Sequence, residues 1–325
     1  MSGQNHSDYE TYYVPTQSWM AILASIALAL IVLGAAGGIN SLTYKHDGSN
    51  AWVLLTAGVV MLAAVLAAWF TTVVKENLKG MNSAQLKRSY RIGMQWFIFS
   101  EVMFFFCFFG ALLYIRTLSG PWLSGEGAGV MNPLLWPNFT YDWPLMSTPQ
   151  DAIGGVDAQA VAGHLANNGV HAGPVKSMEF PGLSGLLHWL PFWNTLLLVS
   201  SSVFLEFAHH ALKNNKRTVF NFWLAATLLF GFGFVALQIV EYYEAYAEYG
   251  LFLNSGVYGA TFFLLTGFHG FHVCMGACIL LVQFLRSVLG RQFTADDHFG
   301  FEAAAWYWHF VDVVWIFLVL VVYLF

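Results

Sequence analysis

His309 and Asp312 sit inside WYWHFVDVVWIFLVLVVYLF, a run from Trp306 to Phe325 long enough to cross a bilayer. Three residues apart on a helix, an imidazole and a carboxylate can touch. Such a pair can hold a proton, ligate a metal or tie one helix to another. Glu302, His309 and Asp312 fall at i, i+7 and i+10 on one helical stripe, and Trp308, Asp312 and Trp315 on an overlapping one. Flanked by indoles rather than lipid-facing Leu and Val, that face is expected to turn into protein.

Three further stretches carry ionisable groups within apolar runs. In RIGMQWFIFSEVMFFFCFFGALLYIR, Glu101 lies near the middle with Ser100 beside it and no basic residue within two turns. A charged carboxylate at the bilayer centre costs roughly 2.5–3.5 kcal/mol on insertion scales. Glu101 therefore reads as a neutral hydrogen-bond donor between helices or as a proton relay or reactive carboxyl. In LLTGFHGFHVCMGACILL, His269 and His272 are three apart, and Cys274 and Cys278 four apart. Soft copper or zinc ligation is one reading. The mid-helix setting and the different faces of His269 and Cys274 favour packing and helix-to-helix hydrogen bonds, with Gly267, Gly270 and Gly276 allowing close approach. In LEFAHHALKNNKR, Glu206 and His210 are four apart and can pair on one face, as an interfacial ion pair or a surface zinc site. The basic residues that follow lie where anionic headgroups sit. A Gly-rich phosphate loop, a serine nucleophile with a base and a haem-ligating histidine pattern are all missing from the sequence, so no residue is assigned a catalytic role and no metal site is assigned.

The elements that must position these groups follow from composition. The 325 residues are 58% hydrophobic and 10% charged, against about 25% charged in soluble domains, which makes this a polytopic membrane protein. Runs near 17–39, 51–73, 93–115, 186–208, 219–240, 256–285 and 304–325 each approach the ~20 apolar residues of a membrane helix. They are continuous rather than alternating, which excludes outer-membrane strands and gives an all-α fold of seven transmembrane helices. Cys107, Cys274 and Cys278 lie in apolar runs and read as reduced packing residues. A net charge of −5 without a basic patch argues against nucleic acid.

Ten of the thirteen Lys and Arg residues occupy the second, fourth and sixth loops. By the positive-inside rule the N-terminus is expected to be cytoplasmic and the C-terminus external, or periplasmic in a bacterium. No Lys or Arg precedes Lys45, so the opening residues lack a signal peptide's basic region and the first apolar run is expected to be retained. Four parts result: an N-terminal segment (1–16), two spans (17–73), a basic loop (74–92) and a five-span part (93–325) holding a long Gly- and Pro-rich external loop at about 117–185. DAIGGVDAQAVAGHLANN in that loop could form a short helix, weakened by its glycines. The fifth loop is read as acidic, with Glu241, Glu244 and Glu248.

HFGFEAAAWYWHFVDVVW, RIGMQWFIFSEVMFFFCFF, FAHHA, LQIVEYYEA and GVYGATFFLLTGFHGFHV, in their relative positions, resemble cytochrome c oxidase subunit III of the haem-copper oxidases, and the chain is identified as a member of that family, bacterial type. The resemblance implies a two-helix plus five-helix arrangement around a lipid-filled V-shaped cleft. It implies a subunit with no redox centre of its own, contacting subunit I directly, alongside subunit II, in a complex whose haem and copper lie in those partners. Phospholipid is then the ligand of Trp69, Glu76, Arg286 and His298, although Met81, Asn82 and Asp297 replace histidines common in the family. Glu101 matches the carbodiimide-reactive carboxyl linked to proton uptake. Glu206, His210, His269, His272, Glu302, His309 and Asp312 are expected to be structural polar groups within the membrane. The expected setting is the bacterial inner membrane, with an external partner possible for the 117–185 loop. A quinol oxidase subunit III, commonly with five spans, and an independent proton-coupled transporter using Glu101, His309 and Asp312 are the alternatives.

Overall fold

A computed structural model of the protein describes residues 14, 17–44, 47–127, 132–152, 173–295 and 297–324. Among these the fold is all-α, with no β-strand. Seven helices are long and apolar enough to span a membrane: α1 (Met20–Tyr44), α2 (Ser49–Leu78), α3 (Ala84–Tyr114), α4 (Leu190–Lys213), α5 (Arg217–Ala247), α6 (Gly256–Val288) and α7 (Phe299–Leu318). Most of the short helix expected within 151–168 lies outside the described residues. The chain forms two compact units, Met1–Gly93 and Met94–Phe325.

In the first unit α1 packs along α2. Small residues let the two backbones approach, as is usual where no hydrophobic drive separates helix from lipid. A Cβ at Gly34 would strike the Leu55 backbone, and one at Gly58 would lie 2.8 Å from the Ile31 nitrogen. The basic loop after α2 turns at Gly80, whose φ of 71° suits glycine. Ser83 then caps α3, its Oγ accepting from the Leu86 N–H at 3.2 Å.

The second unit is built from the rest of α3 and from α4 to α7. α4 starts with Pro191 in its first turn, where a missing N–H costs nothing. It returns through Asn214 and Asn215, the latter at φ 56°, to pack along α5. α6 packs on both α5 and α7, and α7 also packs on α4. Aromatic side chains fill the centre: Trp308 and Trp315 of α7 are fully buried. Room for Trp308 is made by glycines on two helices, since a Cβ at Gly231 or Gly276 would come within 2.7 or 2.9 Å of its ring.

The helices outrun the apolar stretches that announce them. α5 continues to Ala247 and takes Glu241 and Glu244, read from sequence as loop residues, into its last turns. α7 begins at Phe299, so Glu302 lies in its first turn. A 33-residue helix such as α6 is about 50 Å long at 1.5 Å per residue, well beyond a ~30 Å hydrocarbon core.

The described parts of the long third loop pack onto the far ends of these helices. Arg116 donates to the Val321 carbonyl at 3.0 Å and stacks over Trp143. The Val175 and Lys176 N–H groups both donate to the Tyr249 carbonyl, and Phe180 N–H donates to that of Tyr323.

Candidate functional site

Glu101 of α3 is not isolated. Its Oε2 lies 2.9 Å from Nε2 of His272 on α6, with the two side chains 22% and 8% exposed. The other ring nitrogen, Nδ1, is 2.6 Å from the Phe268 carbonyl oxygen one turn back. A carbonyl can only accept, so Nδ1 carries a hydrogen. The Glu101–His272 contact then needs one further proton. Either the carboxyl holds it and donates to a bare Nε2, or Nε2 holds it and donates to a carboxylate.

The surroundings of this pair are aromatic. Phe105 meets the His272 ring edge-on at 5.1 Å between centroids, Phe271 does so at 5.8 Å, and Tyr307 stacks at 6.5 Å. In such a low-dielectric casing a hydrogen bond strengthens and an unpaired partner becomes expensive. Ser100, adjacent in sequence, donates to the Phe97 carbonyl instead. The arrangement can keep a proton at Glu101 Oε2 or His272 Nε2 and pass it between them.

His309 lies at a second junction. Its Nε2 is 3.2 Å from Glu206 Oε1, its Nδ1 is 2.5 Å from Ser202 Oγ, and Asp312 Oδ2 is 3.7 Å from that same Nδ1. The pairing of Glu206 with His210 allowed by spacing is replaced by one between helices, and His210 is exposed. The neighbouring indoles bond to α4 as well: Trp308 Nε1 donates to Ser201 Oγ at 2.9 Å and Trp315 Nε1 to Thr195 Oγ1 at 3.0 Å. This stripe of α7 does face protein.

His269 makes no hydrogen bond between helices. Fully buried, it stacks on Trp315 at 5.1 Å, and neither ring nitrogen has a hydrogen-bond partner. Cys274 and Cys278 are exposed. Among the described residues no three His, Cys, Asp or Glu side chains converge as a metal set would.

The residues expected to touch phospholipid are distributed over both units. Trp69 is exposed on α2, and Glu76 lies in its last turns. In the second unit Arg286 is held in place: Nε donates to Gln292 Oε1 at 2.8 Å, Nη1 donates to Gln283 Oε1 at 3.0 Å, and the guanidinium sits over Phe293. His298 occupies the N-cap of α7, its ring edge-on to that of His209.

One buried carboxyl escapes sequence reasoning altogether. Glu241 is fully buried, accepting from Tyr323 Oη at 2.5 Å and from Asn194 Nδ2 at 3.1 Å. In the sequence it heads an acidic, tyrosine-rich stretch that looks like a loop. The only available signal is its place directly after the apolar run that ends at Val240.

The Cytochrome c oxidase subunit III family profile matches residues 10–133 and 185–325, leaving out most of the long third loop. Cytochrome c oxidase subunit 3 of Carassius auratus is 35% identical over 319 residues, covering 98% of each chain. That of Petromyzon marinus is 35% identical over 320 residues, again 98% of each, and that of Hippopotamus amphibius 36% over 275 residues, 84% of each. These relatives are animal proteins. They correct the expectation of a bacterial type, and with it that of a bacterial inner-membrane location; what stands is a multi-pass membrane chain. Seven apolar helices, a polar stripe turned inward on the last of them, and matches along nearly the whole sequence agree that this chain belongs to the cytochrome c oxidase subunit III family.

Proposed function

We propose that this chain is the accessory subunit of a proton-pumping oxidase that takes electrons from cytochrome c and reduces dioxygen to water. In this reading haem and copper lie in partner subunits. The chain steadies subunit I by direct contact, with subunit II in the same complex, and sustains proton uptake over many turnovers. Phospholipid is held by Trp69 and Glu76 of the first unit and by Arg286 and His298 of the second, within a two-helix plus five-helix architecture. The long third loop, most of it beyond the family match, is available to an external partner.

The observation that carries the proton role is the Glu101–His272 contact at 2.9 Å, in which one proton serves two groups. A carboxyl that can release a proton to an adjacent imidazole is suited to taking up and holding protons near the membrane. The chemistry of dioxygen is left to the partners.

The test compares purified oxidase with and without this chain. An optical spectrum should show haem in the complex that co-purifies with it. The depleted complex should begin turnover at a similar rate, then lose activity sooner and pump fewer protons per electron. Equal lifetimes and equal pumping would overturn the reading.

A further inference from the structure

Where the start of α5 meets the turn after α6, a cavity of about 550 Å³ is lined by Arg217, Thr218, Asn221, Ser287, Val288 and Arg291. Its volume falls in the ~300–1,000 Å³ range of small-ligand clefts. Among the described residues two guanidiniums, two hydroxyls and an amide line it, and no carboxylate does. Like charges around one concavity repel unless an anion lies between them.

The donors there are partly uncommitted. Arg217 gives Nη2 to the Phe293 carbonyl at 2.5 Å, while its Nη1 is buried without a partner. Ser287 Oγ donates to Asn221 Oδ1 at 2.6 Å, which leaves the Asn221 amide nitrogen as a spare donor. Arg291 holds φ at 48°, a backbone region glycine or asparagine adopts more easily. Planar guanidinium forks match the oxygens of a phosphate. Arg286, already bonded to Gln283 and Gln292, does not line this cavity.

The geometry points to a phosphate-binding site formed by Arg217, Arg291, Thr218 and Asn221, separate from Trp69, Glu76, Arg286 and His298. Its ligand is a phosphoryl group carried either by a phospholipid headgroup or by a free anion. The cavity lies at the ends of two spanning helices, beside the basic fourth and sixth loops, where both sources reach it.

Two arms distinguish them. The intact oxidase, wild-type and R217Q/R291Q, is placed in phosphatidylcholine nanodiscs doped with phosphatidylglycerol, and bound phosphatidylglycerol is counted by native mass spectrometry. In parallel, delipidated complex in detergent is titrated with inorganic phosphate by calorimetry. Each guanidinium removed should weaken binding roughly tenfold. Loss of phosphatidylglycerol in the variant assigns the site to lipid; loss of phosphate binding with unchanged lipid assigns it to a soluble anion. R217K/R291K, which keeps the charge but not the planar fork, should recover only part of the binding. Should R217Q/R291Q fail to assemble, R291Q alone, altering an exposed side chain, gives the same readout. If neither ligand distinguishes wild-type from the glutamine variants, the proposal is wrong.

Discussion

Glu101 and His272, 171 residues apart in sequence, meet at 2.9 Å and share one proton, because the Phe268 carbonyl claims the hydrogen on the other ring nitrogen. Glu101→Gln keeps a donor facing Nε2 and should leave the thermal midpoint of the complex nearly unchanged. Glu101→Ala strands a buried imidazole and should destabilise by about 1–3 kcal/mol. Both should assemble and retain most oxygen consumption, since this pair touches no reacting atom in the proposed function. An assembled Glu101→Ala complex with no oxygen consumption would refute this.

Glu241 ties the C-terminal turn to the bundle. With one donor from Tyr323 and one from Asn194, the fully buried carboxyl depends on both. Tyr323→Phe removes the shorter bond while keeping the ring, and should cost about 1–3 kcal/mol. The readout is a lower thermal midpoint with faster proteolysis at the C-terminus. A midpoint equal to wild-type would mean that the contact contributes nothing.

How far the sequence discloses these sites depends on whether the deciding contact is local. Continuous apolar runs reveal the seven spans, because the bilayer imposes one length on all of them. Their ends are less legible, as Glu241 and Glu302 illustrate, since a helix continues past the hydrocarbon wherever tertiary partners satisfy its polar groups. The stripe of Trp308, Asp312 and Trp315 is legible because helical periodicity puts the three together. The pairings of Glu101 with His272, Glu206 with His309 and Glu241 with Tyr323 are not, because each joins helices far apart in the chain. For Glu206 the local rule selects His210, and packing against α7 selects His309 instead.

Trp308 tests the packing. Its ring leaves no room for a Cβ at Gly231 or Gly276, so Gly231→Ala or Gly276→Ala should displace the indole and break its bond to Ser201. The expected cost is about 1–3 kcal/mol, typical of an overfilled core. Trp308→Leu, destabilising alone, should relieve much of the penalty of either alanine, giving a clearly non-additive cycle in thermal midpoint. Strict additivity would show that the glycines and Trp308 are not in conflict.

His309 is the only basic side chain within ion-pair distance of Asp312 among the described contacts, and it also binds Ser202 and Glu206. Glu206 is 63% exposed, so that pair contributes little on its own; Asp312 is buried, and a buried charge left without its partner is costly. His309→Leu should therefore reduce the yield of assembled complex, while oxygen consumption per assembled complex stays near wild-type. Adding Asp312→Asn should recover part of the yield, because a neutral amide no longer needs the imidazole. A fully assembled but inactive His309→Leu complex would reverse the order, making the junction functional first and structural second. The ratio of activity to assembled complex separates the two outcomes.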